Sequence, residues 1–145
     1  MTKYKGIFDA LLAFQKFQKS HPEAQFLIAG SGPFKPQVEE FIHKNQLENS
    51  VKLLGFIDQE QKRTLLQQSR FLVQSSYKEG WGLTVIEANA CGTPVIGNFA
   101  PGLKDSILDQ KTGLLYQFAD SEDLAEKMNL LWNNPQMHAE FKKNA

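Results

Sequence analysis

Two carboxylates and a glycine-rich turn are the residues of this chain closest to chemistry. Residues 75–84 read Ser-Ser-Tyr-Lys-Glu-Gly-Trp-Gly-Leu-Thr, and Glu87 follows Glu79 by eight positions. Gly80 and Gly82 stand just before a helical pattern over residues 83–90. Glycines there let backbone approach a ligand closely, and the first N–H groups of the helix point at whatever lies beyond them. The helix dipole favours an anion, such as a phosphate. Glu87 sits one turn into the helix, where a carboxylate is either a dipole partner or an acceptor of two hydrogen bonds at once. The second role suits the paired hydroxyls of a ribose, and a ribose beside a phosphate makes a nucleotide.

The elements that must position these residues alternate along the chain. Apolar residues Ile7, Phe8, Leu11, Leu12, Phe14 and Phe17 predict a helix over residues 5–19. Short apolar runs at 25–29, 51–56, 71–74, 94–97 and 113–116 predict five strands. Helices are expected between them at 33–44, with Pro33 in its first turn, then at about 59–69, 83–90 and 104–108. Asp58 and Gln61 have the spacing of a capping pair opening the second of these. Helices at 121–132 and 135–143 close the chain. Such alternation, with strands too uniformly apolar to be half exposed, predicts a doubly wound parallel α/β sheet covered on both faces. Ligands of such sheets collect beyond the carboxyl ends of the strands, where loops 30–33, 56–58, 75–82 and 97–102 emerge. Folds of this type usually begin with a strand, whereas Met1-Thr2-Lys3 leaves no room for one, so the first strand is expected upstream and the chain to be a piece of something longer.

Composition narrows the classes. The chain has 145 residues, 41% hydrophobic and 22% charged, which fits one globular domain. Sixteen Lys and Arg balance sixteen Asp and Glu, against the cation surplus of a non-specific nucleic-acid binder. No apolar run approaches the ~20 residues that span a bilayer. A lone Cys91 makes neither an internal disulfide nor a zinc cluster, and reads as a buried small hydrophobe. His21, His43 and His138 fall near helix ends and read as solvated. Gly30-Ser31-Gly32 lacks the third glycine and the later acid of a dinucleotide fingerprint. Ser75 and Ser76 lack the Gly-x-Ser-x-Gly elbow of a hydrolase. The expectation is a soluble cytosolic domain.

Residues 79–88, Glu-Gly-Trp-Gly-Leu-Thr-Val-Ile-Glu-Ala, followed by Cys91-Gly92-Thr93-Pro94-Val95-Ile96, resemble the Glu-x7-Glu signature of retaining glycosyltransferases of family 4, the glycosyltransferases group 1. Lys5-Gly6, the strand and Gly-x-Gly-Pro turn at 28–33, the strand at 51–57 and Thr112-Gly113-Leu114-Leu115 are similar to further family motifs in the same order. The resemblance implies a single Rossmann-like domain, the C-terminal, donor-binding half of a GT-B fold. In the family the second glutamate, here Glu87, holds the ribose, and the first, here Glu79, faces the donor sugar. Backbone around Gly82, Leu83 and Thr84 lies against the distal phosphate, and Lys5 neutralises the diphosphate leaving group. Phe56 and Ile57 meet the base, and Gly32 and Trp81 border the donor. The donor is a UDP-, GDP- or ADP-sugar. No separate cofactor and no metal are implied, because cations and a helix N-terminus can carry the charge.

Departures from the family pattern are equally specific. The family's diphosphate arginine would lie upstream of Met1, as would the first strand. The N-terminal acceptor-binding domain is absent, so the resemblance implies no transferase activity for the domain alone and leaves contact with the inner face of a membrane to that missing domain. Residues 100–105, Ala-Pro-Gly-Leu-Lys-Asp, replace the commoner Gly-Gly-x-Pro-Glu loop. Two other classes remain beside the transferase: a non-catalytic interaction domain of the same fold, and a GT-B nucleotide-sugar epimerase.

Overall fold

The computed structural model describes residues 5–145, so the reading of Met1-Thr2-Lys3 lies outside the described residues. Five short strands alternate with helices: α1 Ile7–Gln18, β1 Phe26–Ala29, α2 Lys35–Lys44, β2 Val51–Gly55, α3 Gln59–Gln68, β3 Leu72–Gln74, α4 Leu83–Ala90, β4 Val95–Asn98, α5 Leu103–Ser106, β5 Gly113–Tyr116, α6 Ser121–Asn133 and α7 Pro135–Asn144. All strand pairings are parallel, with Phe26 opposite Val51, Leu72 opposite Val95, and Val95 opposite Gly113. Helices cover both faces, as the alternation predicts.

Local chemistry sets the helix ends. Asp58 accepts the Gln61 N–H at 2.8 Å while the Gln61 side chain accepts the Asp58 N–H at 3.0 Å, the reciprocal box its spacing predicts. Asp120 caps α6 by accepting from Glu122 and Asp123 N–H groups. In α2 the proline of the first turn is Pro36 rather than Pro33, because the helix starts two residues later than the sequence suggests.

Packing divides by face. On one side α1 buries Ala10, Leu11, Ala13, Phe14 and Phe17, a stripe at three- and four-residue steps. That stripe meets Leu124, Met128 and Leu131 of α6, with Val38 and Ile42 of α2 in the same core. On the other side a smaller core joins Leu66, Val85, Ala88, Val95, Leu103 and Ile107, with Cys91 only partly buried at its margin. His21 is not solvated: it is buried beside Phe17, and its Nε2 lies 3.0 Å from Asn129 Oδ1.

The sheet departs from expectation in one respect. Among the described residues it is two pieces, β1–β2 and β3–β4–β5, with no pairing between β1 and β3. All four residues of β4 are buried, but none of β3 is, and Leu27 and Ala29 of β1 are exposed. The uniform burial expected of the strands therefore fails along this seam.

Phe17, 1% exposed, touches Phe14, His21 and Trp132 through ring contacts. Phe17→Ala should cost about 3–5 kcal/mol, the usual range for a fully buried phenylalanine. The loss would be read as a lowered urea midpoint with an unchanged slope.

Candidate functional site

The chain enters the site at Lys5 and Gly6. Gly6 caps α1 in the left-handed region, φ 61°, and a Cβ there would lie 2.1 Å from the Ser75 carbonyl oxygen. Only glycine permits that approach. It presses the start of α1 onto the loop after β3, and the Ser75 hydroxyl donates to the Lys5 carbonyl at 2.8 Å. Lys5 Nζ then reaches Glu79 Oε1 at 2.5 Å. Gln74, at the end of β3, donates to the same oxygen at 3.1 Å. Tyr77 adds a second tie between the loop and α1, its hydroxyl donating to Asp9 at 2.6 Å.

The loop is clamped from its other side as well. Glu79 N–H donates to the Pro101 carbonyl at 3.1 Å. Gly102, φ +83°, would place a Cβ 2.2 Å from the Glu79 carbonyl oxygen. Asn98, fully buried at the end of β4, donates to the Ser76 carbonyl at 3.1 Å and accepts from Ala119 N–H. The 100–105 loop is thus in backbone contact with the Glu79 loop. Asn98 escaped the sequence reading; the signal available was a polar residue terminating an otherwise apolar strand.

Gly82 caps α4 at φ 68° with no side-chain cap, leaving the helix N-terminal N–H groups without a side-chain acceptor. Trp81 and Leu83 stand exposed beside it, and Phe56 after β2 is 85% exposed. Glu87, on α4, is partly exposed and receives a hydrogen bond from Lys62 Nζ at 2.7 Å. Lys62 is a residue that sequence reasoning missed. Its signal was a cation near the N-terminal end of α3, where the helix dipole disfavours positive charge unless an anion is close.

A cleft of about 830 Å³ runs along the gap between β1 and β3, from Gln25 and Phe71 at their amino ends to Ser31 and Ser76 at their carboxyl ends. Lys5, Phe56, Ile57, Lys62 and Thr84 line it, so four sequence-predicted residues and Lys62 are brought together. Glu79 and Glu87 connect to it through their ion pairs with Lys5 and Lys62. Gly32, Trp81, Gly82 and Leu83 are not among its lining residues. Among the described residues no group of three or more His, Cys, Asp or Glu is placed to hold a metal, and no helix is long and apolar enough to cross a membrane.

Burial pushes the Glu79 carboxyl up, but hydrogen bonds from Lys5 and Ser76, the Lys5 charge and Gln74 outweigh it and hold it below the ordinary glutamate value. The Tyr77 hydroxyl is pushed up to about 12 by its bond to Asp9 and by burial. A carboxyl depressed in the folded state adds stability above its unfolded value, and that contribution is lost as pH falls through the folded value. Urea midpoints measured from neutral pH downward should fall less steeply for Glu79→Gln than for the parent below the ordinary glutamate range. Equal acid slopes would show that Lys5 and its neighbours do not stabilise the carboxylate.

A family model described as glycosyl transferases group 1 matches residues 1–145. Alpha-monoglucosyldiacylglycerol synthase of Acholeplasma laidlawii is 30% identical over 145 residues, covering 100% of this chain and 36% of the relative. TarM of S. aureus, solved in complex with UDP, superposes with a TM-score of 0.92 at 30% identity over 99% of this chain and 29% of that one. The C-terminal domain of LpcC, a glycosyl transferase group 1 family protein from Francisella tularensis, gives 0.90 at 25% identity, covering 99% of this chain and 77% of that domain. The chain spans about a third of the length of the curated relatives it matches. With the family model covering every residue and a C-terminal domain matching nearly the whole fold, the chain belongs to the glycosyl transferases group 1 and corresponds to the C-terminal domain of their GT-B architecture.

Proposed function

We propose that this domain binds a nucleotide-sugar donor at the carboxyl ends of its strands and, within a longer chain, serves as the donor half of a retaining glycosyltransferase. The observation that carries the reading is the docking of Lys5 and Glu79 against the loop that leads into the uncapped N-terminus of α4. That arrangement gathers a cation, oriented backbone N–H groups and a carboxylate where a diphosphate and its sugar would lie. Lys5 and the N–H groups at Gly82, Leu83 and Thr84 take the diphosphate. Glu79 faces the sugar, with Gly32 and Trp81 at the border of the donor. Glu87 takes the ribose hydroxyls, and Phe56 and Ile57 meet the base.

When the bond from the sugar to the diphosphate breaks, negative charge grows on the leaving group, so Lys5 and the α4 start act most strongly in the transition state. The acceptor arrives on the same face of the sugar from a separate N-terminal domain, and the isolated domain is inactive. UDP is the first donor nucleotide to test, because TarM and Anabaena HepE were both solved with UDP bound. The relatives' names are those of synthases and a glycosyltransferase, which favours this reading over an interaction domain or an epimerase. The setting is cytoplasmic, with any contact at a membrane face supplied by the acceptor domain.

Amide NMR titration with UDP, GDP and ADP tests the site. Shifts are expected at Lys5, at residues 82–87 and at Phe56 and Ile57. Glu87→Gln should weaken nucleotide binding by about 1.5–3 kcal/mol, the worth of a hydrogen bond to a charged group. Its effect on stability should be small, because the partly exposed Lys62 pair contributes on the order of 0–1 kcal/mol. A nucleotide that binds Glu87→Gln as tightly as the parent would reject the ribose role.

A further inference from the structure

The cation that meets Glu87 carries an inference that deepens the donor reading and rests on it. We propose that Lys62 is a positioning residue for the ribose: it holds one oxygen of the Glu87 carboxylate and so presents the other to the paired hydroxyls, which sharpens the choice of a ribonucleotide over its deoxyribose counterpart.

The two side chains meet because α3 is fastened across α4. Leu66, one turn beyond Lys62, shares a buried core with Val85 and Ala88 of α4. The buried Thr93 hydroxyl, just after α4, donates to the Leu66 carbonyl at 2.7 Å. At its other end α3 is fixed by the Asp58–Gln61 box, and the Lys62 N–H donates to the Asp58 carbonyl at 2.9 Å. Residues four apart on a helix share a face, so Lys62 stands on the side of α3 that Leu66 turns to α4. On α4, Thr84 and Glu87 are neighbours in the same way, and Thr84 lines the cleft together with Lys62.

The contact leaves half of the carboxylate to a ligand. Lys62 Nζ donates to Glu87 Oε1 at 2.7 Å, and among the described residues no group donates to Oε2. A glutamate has several rotatable torsions, so a carboxylate on a half-exposed helix face samples more than one position. A ligand that needs it in one position must also order it. The ammonium on Oε1 does that ordering in advance.

Stability gives little reason for a lysine at this position. The pair is part-exposed, with side chains 28% and 37% accessible, and such pairs add little to folding. The early turns of a helix also disfavour a cation. What Lys62 supplies is a fixed acceptor between Thr84 and the residues that lead into α3, Phe56 and Ile57, which line the same cleft.

The test titrates the 145-residue chain with UDP and with dUDP, followed by amide NMR. The parent is compared with Lys62→Met, Lys62→Arg, Glu87→Gln and the double variant of Lys62→Met with Glu87→Gln. Lys62→Met should weaken UDP by about three- to tenfold, the effect of leaving one flexible side chain to be ordered by the ligand. dUDP, with a single ribose hydroxyl to offer Glu87, should lose less, so the preference for UDP narrows. The urea midpoint should stay with the parent's, and Lys62→Arg should restore most of the affinity and the preference. In the Glu87→Gln background Lys62→Met should weaken UDP no further. A loss that persists there, with the preference unchanged, would make Lys62 a cation for the phosphates and overturn the positioning role. If UDP binds Lys62→Met as tightly as the parent while Glu87→Gln weakens it, the proposal falls and the ribose role of Glu87 stands. A parent that binds no UDP, or binds UDP and dUDP alike, overturns the donor reading and this proposal with it.

Discussion

Glu79 needs a cation, and meeting that need organises the carboxyl end of the sheet. A carboxylate taken partly out of water must be paired and hydrogen-bonded or give up its charge. Its partner Lys5 is 74 positions away in sequence, so the pair ties the start of α1 to the loop after β3. The tie holds only if two backbones can touch, which Gly6 allows at Ser75 and Gly102 allows at Glu79. Asn98 fixes the carbonyls of the loop from beneath. The loop that leads into α4 is therefore held by contacts from α1, β4 and the 100–105 region at once, and the helix opens at Gly82 with no side-chain cap.

Much of this was legible because it depends on local chemistry. The Asp58–Gln61 box, the glycine cap of α4 and the apolar stripe of α1 are each dictated by residues a few positions apart. The order of strands and helices followed from the same short-range signals. What stayed hidden depends on partners distant in sequence. Lys62 looks like any charged helix residue until α4 brings Glu87 to it, and His21 reads as solvated until α6 covers it with Asn129 and Trp132. Asn98 is silent for the same reason, since its acceptors lie in another loop.

The seam between β1 and β3 is the clearest case of a pattern that reports apolarity without reporting who covers it. Leu27, Leu72 and Val73 carry the side chains of interior strands, and from sequence they are indistinguishable from Val95 and Ile96 of β4. Yet β4 is buried throughout because β3 and β5 flank it, whereas among the described residues β1 pairs on one edge with β2 and β3 on one edge with β4. Burial here is a property of the sheet's order and not of the strand's own residues.

The two features meet at one place. The gap between β1 and β3 is walled by helices, with α1 and α6 on one face and α3 on the other. The Lys5–Glu79 pair sits at one end of that gap, where Lys5 lines the cleft. Helix packing and the electrostatics of the candidate donor site thus meet at a single side chain, because the same lysine leads into α1 and pairs with the carboxylate of the loop after β3.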